Sequence, residues 1–129
     1  MRLRYEDYLA MKQHVASQAP LEACGLVAGL HGVSTAVFPI PNVLQSPLRY
    51  RMDPHRQLEA FFAIENAGWE LLAIYHSHPM GPPAPSEIDL AEATYPVVYL
   101  IWAPVGHEWV VRGFHLCGHR VREVPVRLE

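Results

Sequence analysis

Apolar runs separated by turns rich in proline and glycine divide this chain into short elements. In the N-terminal third, apolar residues spaced as on one face of a helix predict a helix over residues 5–18, which Pro20 ends. Two shorter apolar runs, at residues 26–30 and 34–40, predict strands joined by a turn at His31-Gly32. The chain therefore opens with a helix followed by a hairpin.

The rest of the chain alternates between helical and strand patterns. Asp53 before Pro54 is typical of a helix start, and this helix is expected to run to about Ala67. Residues 41–52 hold several prolines and are expected to form a loop or an irregular edge strand. Further strands are predicted at residues 71–75, 97–102, 109–116 and 121–126. This order predicts an α/β fold, with a mixed β-sheet and flanking helices.

Composition narrows the class of protein. A length of 129 residues, half of them hydrophobic and 18% charged, is typical of one folded domain over residues 1–129. The net charge of −3 argues against a nucleic-acid partner. No apolar run approaches the ~20 residues of a membrane span, and the N-terminus lacks a signal-peptide core. With only two cysteines, a reduced cytoplasmic location is expected.

The strand pattern at residues 71–75 leads directly into His76 and His78. Side chains two residues apart on a strand project from the same face, roughly 6.6 Å apart along it, so the two imidazoles can converge on one ion. After a loop of proline, glycine and alanine, Ser86 opens a short helix that places Asp89 on the same face as itself. Two imidazole nitrogens and one carboxylate oxygen are the protein ligands of an open catalytic zinc site.

Each part of this pattern also has a purely structural interpretation. A histidine near a strand end is often only a hydrogen-bonded or exposed side chain. Ser86 and Asp89 have the spacing of a capping box, which does not prevent Asp89 from also facing the site. Ser77 should project from the opposite face, with a packing role. A second candidate metal cluster, His115, Cys117 and His119, is expected to lose its register at the Gly118 turn.

The histidine motif and an upstream motif together resemble the JAMM (MPN+) metalloproteases. The histidine motif is His76-Ser77-His78-Pro79, then six residues, then Ser86-x-x-Asp89, and the upstream motif is the stretch Pro20 to Leu26 around Glu22. The resemblance implies a cytidine-deaminase-like JAMM/MPN fold and one Zn²⁺ per chain, bound by His76, His78 and Asp89. It also implies that Glu22 is the general base and that Ser86 stabilises the oxyanion.

Only the resemblance singles out Glu22, because several other carboxylates compete with it and each is expected to lie on the surface. These competitors are Asp7, Glu59, Glu65, Glu87 and Glu92. Cys24 is expected to be a buried apolar residue rather than a ligand. The remaining histidines are expected at the surface or in turns; they are His14, His31, His55 and His107.

The resemblance also implies the substrate, a ubiquitin-like or sulfur-carrier protein with a C-terminal Gly-Gly that is cleaved at the amide bond after it. The compact chain is similar to the stand-alone prokaryotic members, and a homodimer is possible. Residues 41–52 are expected to form part of the substrate groove, and the stiff loop 79–85 one wall of it. Two alternatives remain: a non-catalytic scaffold, and another zinc hydrolase on the same fold, although the motifs of zinc deaminases are absent.

Overall fold

The computed structural model describes all 129 residues, which form three helices and eight strands. The helices are α1 (Tyr5–Gln18), α2 (Pro54–Asn66) and α3 (Glu87–Glu92). The strands are β1 (Arg2–Leu3), β2 (Cys24–Leu30), β3 (Val33–Ile40), β4 (Glu70–Ser77), β5 (Val98–Val105), β6 (Glu108–Cys117), β7 (Arg120–Val124) and β8 (Arg127–Leu128). All eight belong to one mixed sheet in the order β7-β6-β5-β4-β2-β3-β1-β8.

The centre of the sheet is formed by β4, which pairs with β5 in parallel and with β2 in the antiparallel direction. The predicted burial of β5 on both faces is confirmed over Val98–Ala103. At Gly25, β2 passes so close to β4 that a Cβ atom would lie 2.3 Å from Cε2 of Tyr75. Only glycine leaves room there for the ring of Tyr75, which packs over β2.

The sheet is curled, and its two ends meet. Only Pro125 and Val126 separate β7 from β8 in the sequence, although these strands are at opposite ends of the strand order. On one face of the sheet, α1 buries Met11 and Val15 against an apolar cluster that includes Trp102. The other face carries α2 and the residues around the histidines. None of the three helices is both long and apolar enough to cross a membrane.

The predicted elements are confirmed, with differences at their ends. The structure has an α/β architecture with a mixed sheet, and α2 begins at its Asp53 N-cap as expected. Residues 41–52 form a loop with a single bridge between Asn42 and Met52. The two-residue strands β1 and β8 were not predicted, because two residues are too short to show any periodicity.

Two polar residues expected at the surface lie inside the molecule. Asp7 is 5% exposed and accepts hydrogen bonds from Ser34 Oγ (2.6 Å) and Arg4 Nε (2.8 Å), because the start of α1 packs against β3. His14 is half-buried on the inner side of α1, with Nδ1 2.7 Å from the hydroxyl of Tyr75. Burial lowers the pKa of His14. The prediction for Asp7 was wrong because the start of α1 packs against β3, and His14 is only partly exposed because it packs against Tyr75 of β4.

Candidate metal centre

The antiparallel register between β2 and β4 brings Glu22 to the histidines. Cys24 on β2 pairs with His76 on β4. Extending this antiparallel register by two residues places Glu22 opposite His78, just beyond the paired strands. Ser77, between the two histidines, accepts a hydrogen bond on its Oγ from the amide of Ala23 (2.8 Å), and its own amide donates to the carbonyl of Ala23 (3.0 Å). The two segments are therefore joined just beyond the paired strands.

The two imidazoles converge as the strand spacing predicted. Nε2 of His76 and Nε2 of His78 are 3.1 Å apart, and both side chains are buried. The helix after the proline-rich loop brings Asp89 to the same point, with Oδ1 3.1 Å from Nε2 of His76 and Oδ2 3.1 Å from Nε2 of His78. A carboxylate oxygen of Glu22 lies within 4.8 Å of the imidazole nitrogens.

Hydrogen bonds on the far side of His78 orient its ring. Nδ1 of His78 donates to the carbonyl of Pro82 (2.9 Å), so in the neutral imidazole the lone pair is on Nε2, directed at Asp89 and His76. His76 has no such partner: its Nδ1 is buried and makes no hydrogen bond. Its ring instead stacks on Tyr50, with centroids 4.7 Å apart.

Asp89 serves the helix and the site together. Its Oδ2 accepts a hydrogen bond from the amide of Ser86 (2.9 Å), and its own amide donates to Ser86 Oγ (3.1 Å), which completes a capping box at the start of α3. Burial alone would raise the pKa of Asp89, but its close contacts with His76 and His78 outweigh burial and hold that pKa far below its usual range. The capping and site interpretations of this motif are therefore compatible.

The histidines and Glu22 respond differently to burial. Burial lowers the pKa of His76, whereas at the less buried His78 the contacts with Asp89 and Pro82 outweigh burial and raise the pKa. Burial raises the pKa of Glu22 from 4.5 to about 7, although the nearby His78 opposes the shift. A carboxyl group with a pKa near neutrality can both take up and release a proton.

These contacts fit a metal ion. Ligand atoms bound at about 2.0–2.1 Å around a tetrahedral zinc lie roughly 3.3 Å from one another, close to the 3.1 Å that separates Nε2 of His76 and His78 and each of these from Asp89. Two imidazole lone pairs facing each other at this distance need a proton or a cation between them. Glu22, His76 and His78 form a group whose candidate ligand atoms all lie within 4.8 Å of one another, and Asp89 joins this group through its contacts with both histidines.

A cleft of about 170 Å³ opens beside the cluster. Glu22, His78 and Ser86 line its inner part. Pro47 and Leu48 form one side, and the loop from Met80 to Pro85 forms the other. Leu48 and Met80 are 69% and 82% exposed, so both flanks present apolar side chains to the solvent. Parts of residues 41–52 and of the loop 79–85 thus line this cleft, and their role in a substrate groove stays a prediction.

Sequence patterns missed two residues that hold the site from outside. Tyr50 stacks on His76, and Asn42 donates from Nδ2 to the carbonyl of Glu22 (3.0 Å). The sequence around Asn42, Pro41-Asn42-Val43, indicates only a turn. No periodicity connects a loop residue with a strand 20 or more positions away.

The other candidate ligands lie elsewhere. Cys24 is fully buried and donates its Sγ–H to the carbonyl of Ile40 (3.4 Å), and burial raises its pKa to about 12, so it stays a protonated thiol as expected. Of the alternative cluster, His115 is partly buried, Cys117 ends β6 and His119 lies exposed in the turn beyond it. These three do not form a group with metal-binding distances.

Comparison with known proteins links this site to curated peptidases. The chain is 46% identical over 106 residues to a probable TtuB-protein conjugate cleaving protease of Thermus thermophilus, covering 81% of this chain and 68% of that protein. It is 36% identical over 126 residues to a desampylase of Haloferax volcanii, covering 92% and 86%. A CysO-cysteine peptidase of Mycobacterium tuberculosis is 32% identical over 123 residues, covering 92% and 84%.

Solved structures share the fold. A Desulfitobacterium hafniense protein solved in solution has a TM-score of 0.90 and 32% identity, covering 99% of this chain and 92% of that one. A JAB1/MPN domain protein of Archaeoglobus fulgidus has a TM-score of 0.69 at 17% identity, covering 100% and 97%. The model of one protein family, the prokaryotic homologues of the JAB domain, matches residues 6–114 of this chain. The chain belongs to that family.

Proposed function

We propose that this chain is a zinc-dependent peptidase or isopeptidase that hydrolyses the amide bond after the C-terminal Gly-Gly of a ubiquitin-like or sulfur-carrier protein. Membership of the JAB-domain family, together with relatives that are proteases, makes the chain a hydrolase. The observation that carries the zinc-dependent mechanism is the convergence of His76, His78 and Asp89, at 3.1 Å from one another, beside a cleft that Glu22 and Ser86 also line.

His76, His78 and Asp89 would hold the ion, because their atoms meet at one point and each is oriented by its own surroundings. The His78 ring is fixed through Pro82, the His76 ring by stacking on Tyr50, and Asp89 through the capping box. When bound, zinc supplies Lewis-acid polarisation of the scissile carbonyl and acidifies a water to a pKa of about 7. Partners outside the ligand set typically improve metal affinity about 10–100-fold.

Glu22 is placed to move protons. Its buried carboxyl group faces His78 at the inner end of the cleft, and burial brings its pKa to about 7, so near neutral pH it can accept a proton from the attacking water. The same carboxyl group can then donate that proton to the leaving amine. This shuttle role separates Glu22 from the three residues assigned to metal binding.

Ser86 is placed to stabilise the oxyanion that forms on the scissile carbonyl. Its Oγ accepts the amide of Asp89, which leaves its own O–H free to donate into the cleft that it lines. A donor that strengthens its bond as negative charge develops lowers the barrier to attack. The capping box fixes this hydroxyl before the substrate arrives.

The cleft and the relatives support the substrate class. The cleft between Leu48 and the proline-rich loop has a volume of about 170 Å³, which suits a short stretch of small residues. Curated relatives are a TtuB-conjugate protease, a desampylase and a CysO-cysteine peptidase, each named for a protein or a conjugate that it cleaves. The location proposed for this activity is the cytoplasm, with one domain over residues 1–129 and no nucleic-acid or membrane partner. The protein is also proposed to form a homodimer.

The test combines metal analysis with cleavage of defined fusions. TtuB and CysO, each fused through its C-terminal Gly-Gly to a reporter peptide, are incubated with the protein, and the new C-terminus is identified by mass spectrometry. We expect one zinc per chain and cleavage directly after Gly-Gly. Glu22→Gln should keep the zinc and lose about 10²–10⁴-fold in kcat. Glu87→Gln, which changes an exposed carboxylate next to Ser86, is the matched control and should remain active.

Two results would contradict the proposal. The first is a zinc-loaded Glu22→Gln variant that cleaves at the wild-type rate, because the proton shuttle would then lie elsewhere. The second is a folded wild-type protein that binds no zinc when it is supplied in excess, because the three ligands could not then form the centre.

A further inference from the structure

One loop touches each of the segments that supply the proposed site. This bridging loop, residues 42–52, accepts the amide of Glu22 on the carbonyl of Ser46 (2.9 Å) and stacks Tyr50 on His76. It also pairs Arg49 with Glu92 at the end of α3, the helix that carries Asp89. Glu22 precedes β2 and therefore lies beyond the last pair of the β2–β4 ladder. The bridging loop supplies the backbone partners that the ladder no longer provides.

Asn42 organises the bridging loop from within. Its Oδ1 accepts the amides of Leu44 (3.1 Å) and Arg51 (3.0 Å), and its Nδ2 donates to the carbonyls of Arg49 (3.0 Å) and Glu22 (3.0 Å). The side-chain amide of Asn42 thus uses both lone pairs of its oxygen and both hydrogens of its NH₂ group. Three of the bonds close the loop on itself, and the fourth ties the closed loop to Glu22.

We infer that Asn42 is a positioning residue for Glu22. The inference rests on the proposed function, in which Glu22 moves the protons. The carbonyl and the amide of Glu22 are held by Asn42 and Ser46, so the loop sets where the carboxyl group stands relative to His78. Misplacement of a reacting group by about 1 Å can cost roughly 100-fold in rate. Asn42 hydrogen-bonds to none of His76, His78 and Asp89, so its variants should still bind one zinc per chain when zinc is supplied in excess.

Only asparagine supplies this set of bonds at this length. The two acceptor contacts need an oxygen, and the two donor contacts need the NH₂ group. Asn42→Asp keeps the oxygen that closes the loop through Leu44 and Arg51 but loses both donor bonds, to Glu22 and to Arg49. Asn42→Ala removes all four bonds. Comparing these variants separates the acceptor bonds, which close the loop, from the donor bonds, one of which ties the loop to Glu22.

The first experiment measures the position of Glu22 without any substrate. Amide hydrogen exchange is followed by NMR in the zinc-supplemented protein and in Asn42→Ala. We expect the amide of Glu22, which donates to Ser46, to lose at least 10-fold in protection. The amides of β5 should be unchanged. Unchanged protection at Glu22 would overturn the inference whether or not the protein is a peptidase.

The second experiment asks whether Asn42 acts through Glu22. Single-turnover cleavage of the Gly-Gly fusion is compared for Asn42→Ala, Glu22→Gln and the double variant, with Asn66→Ala as an exposed, remote control. Asn42→Ala and Asn42→Asp should both lose about 10–100-fold in rate and keep one zinc per chain. In the Glu22→Gln background, Asn42→Ala should cause no further loss beyond twofold.

Two outcomes of the second experiment contradict the inference. If the losses multiply in the double variant, Asn42 contributes to substrate binding or to folding independently of Glu22. If Asn42→Asp recovers the wild-type rate, closing the loop is sufficient and the donor to Glu22 has no role. A wild-type protein that cleaves no fusion contradicts the proposed function alone, because the exchange experiment still decides the position of Glu22.

Discussion

At the scale of single residues, folding buries Glu22 where the charged form of its carboxyl group is unfavourable. The carboxyl group is 4% exposed, and no cationic Lys or Arg pairs with it, so burial raises its pKa to about 7. Buried carboxylates elsewhere are compensated: Asp7 accepts bonds from Arg4 and Ser34. An unpaired carboxyl group is better suited to a proton shuttle, because an ion pair would hold the pKa of the carboxyl group too low for it to return the proton. Glu22 is therefore expected to lower the stability of the folded protein while it serves the proposed catalytic step.

This cost can be measured as a dependence of stability on pH. In metal-free protein, native Glu22 binds its proton more tightly than in the unfolded chain, so stability falls as the pH rises from 4.5 to about 7. Gln carries no such charge, so Glu22→Gln should be more stable than the wild type at pH 8, by roughly 2–3 kcal/mol. The difference should vanish near pH 4. Urea unfolding with a chelator present checks it.

The control for this comparison is Glu87→Gln, at an exposed position on α3. Its difference in unfolding free energy from the wild type should stay small and nearly constant between pH 4 and pH 8. A Glu22→Gln variant that gains nothing at pH 8 would show that the carboxyl group is solvated or paired in the folded state.

At the scale of elements, the short helix α3 depends on the residues that also form the site. It spans only Glu87–Glu92, and it begins with the capping box between Ser86 and Asp89. An isolated helix of this length has no stability of its own, so caps and tertiary contacts must hold it. The same bonds fix the Ser86 hydroxyl and the Asp89 carboxylate, which couples local folding to the geometry of the site. Just beyond the β2–β4 ladder, the bonds between Ala23 and Ser77 do the same for Glu22 and His78.

The observed capping role of Ser86 and its proposed oxyanion role can therefore be separated by substitutions. Ser86→Ala removes the helix cap, which should lower the free energy of unfolding by about 1 kcal/mol. It also removes the proposed oxyanion donor, which should lower kcat by about 10²–10³-fold. Ser86→Thr keeps both the capping oxygen and the O–H donor, so it should retain stability and most of the activity. Unfolding free energy and kcat are measured for both variants, with zinc content as the check that Asp89 is still in place.

The outcome that would contradict this assignment is a Ser86→Ala variant that loses stability but keeps the wild-type kcat. Ser86 would then be only an N-cap, and the oxyanion would have to find its donor elsewhere along the cleft. A change in KM alone would indicate that the hydroxyl binds the substrate equally in the ground and transition states.

At the scale of the whole molecule, the candidate centre joins segments that are distant in the sequence. The histidines end β4, Asp89 is on α3 and Glu22 precedes β2, on a sheet whose two ends meet through Pro125 and Val126. An ion held by residues from β4 and α3 restrains those two elements together. Because the unfolded chain cannot present these ligands at one point, ion binding favours the native state.

Removal of the ion should destabilise the protein as a whole. At zinc concentrations about 100-fold above Kd, binding adds about 2.7 kcal/mol to the free energy of unfolding. For a chain of this size, we expect a chelator to lower Tm by on the order of 10 °C, measured by calorimetry. His78→Ala lacks a proposed ligand, so its Tm should not respond to the chelator. A wild-type Tm that is equally insensitive would argue against a bound ion.

The sequence by itself determined the elements and half of the site. Apolar periodicity located the helices and the longer strands, since burial of one face requires it, and the spacing of two on a strand placed His76 and His78 together. Local bonding also fixed the Ser86-Asp89 cap, because its partners are three residues apart. These features were predictable because their partners are close in the chain or follow from one repeating geometry.

Tertiary structure alone decided the rest. That Glu22 lies opposite His78 depends on the register of β2 against β4, and its raised pKa depends on what buries it. The contacts of Asn42 with Glu22 and of Tyr50 with His76 come from an irregular loop, whose path no periodic pattern encodes. The burial of Asp7 follows from the packing of α1 against β3, where Ser34 lies. Each of these contacts joins residues far apart in sequence, so only the packing of the folded chain specifies it.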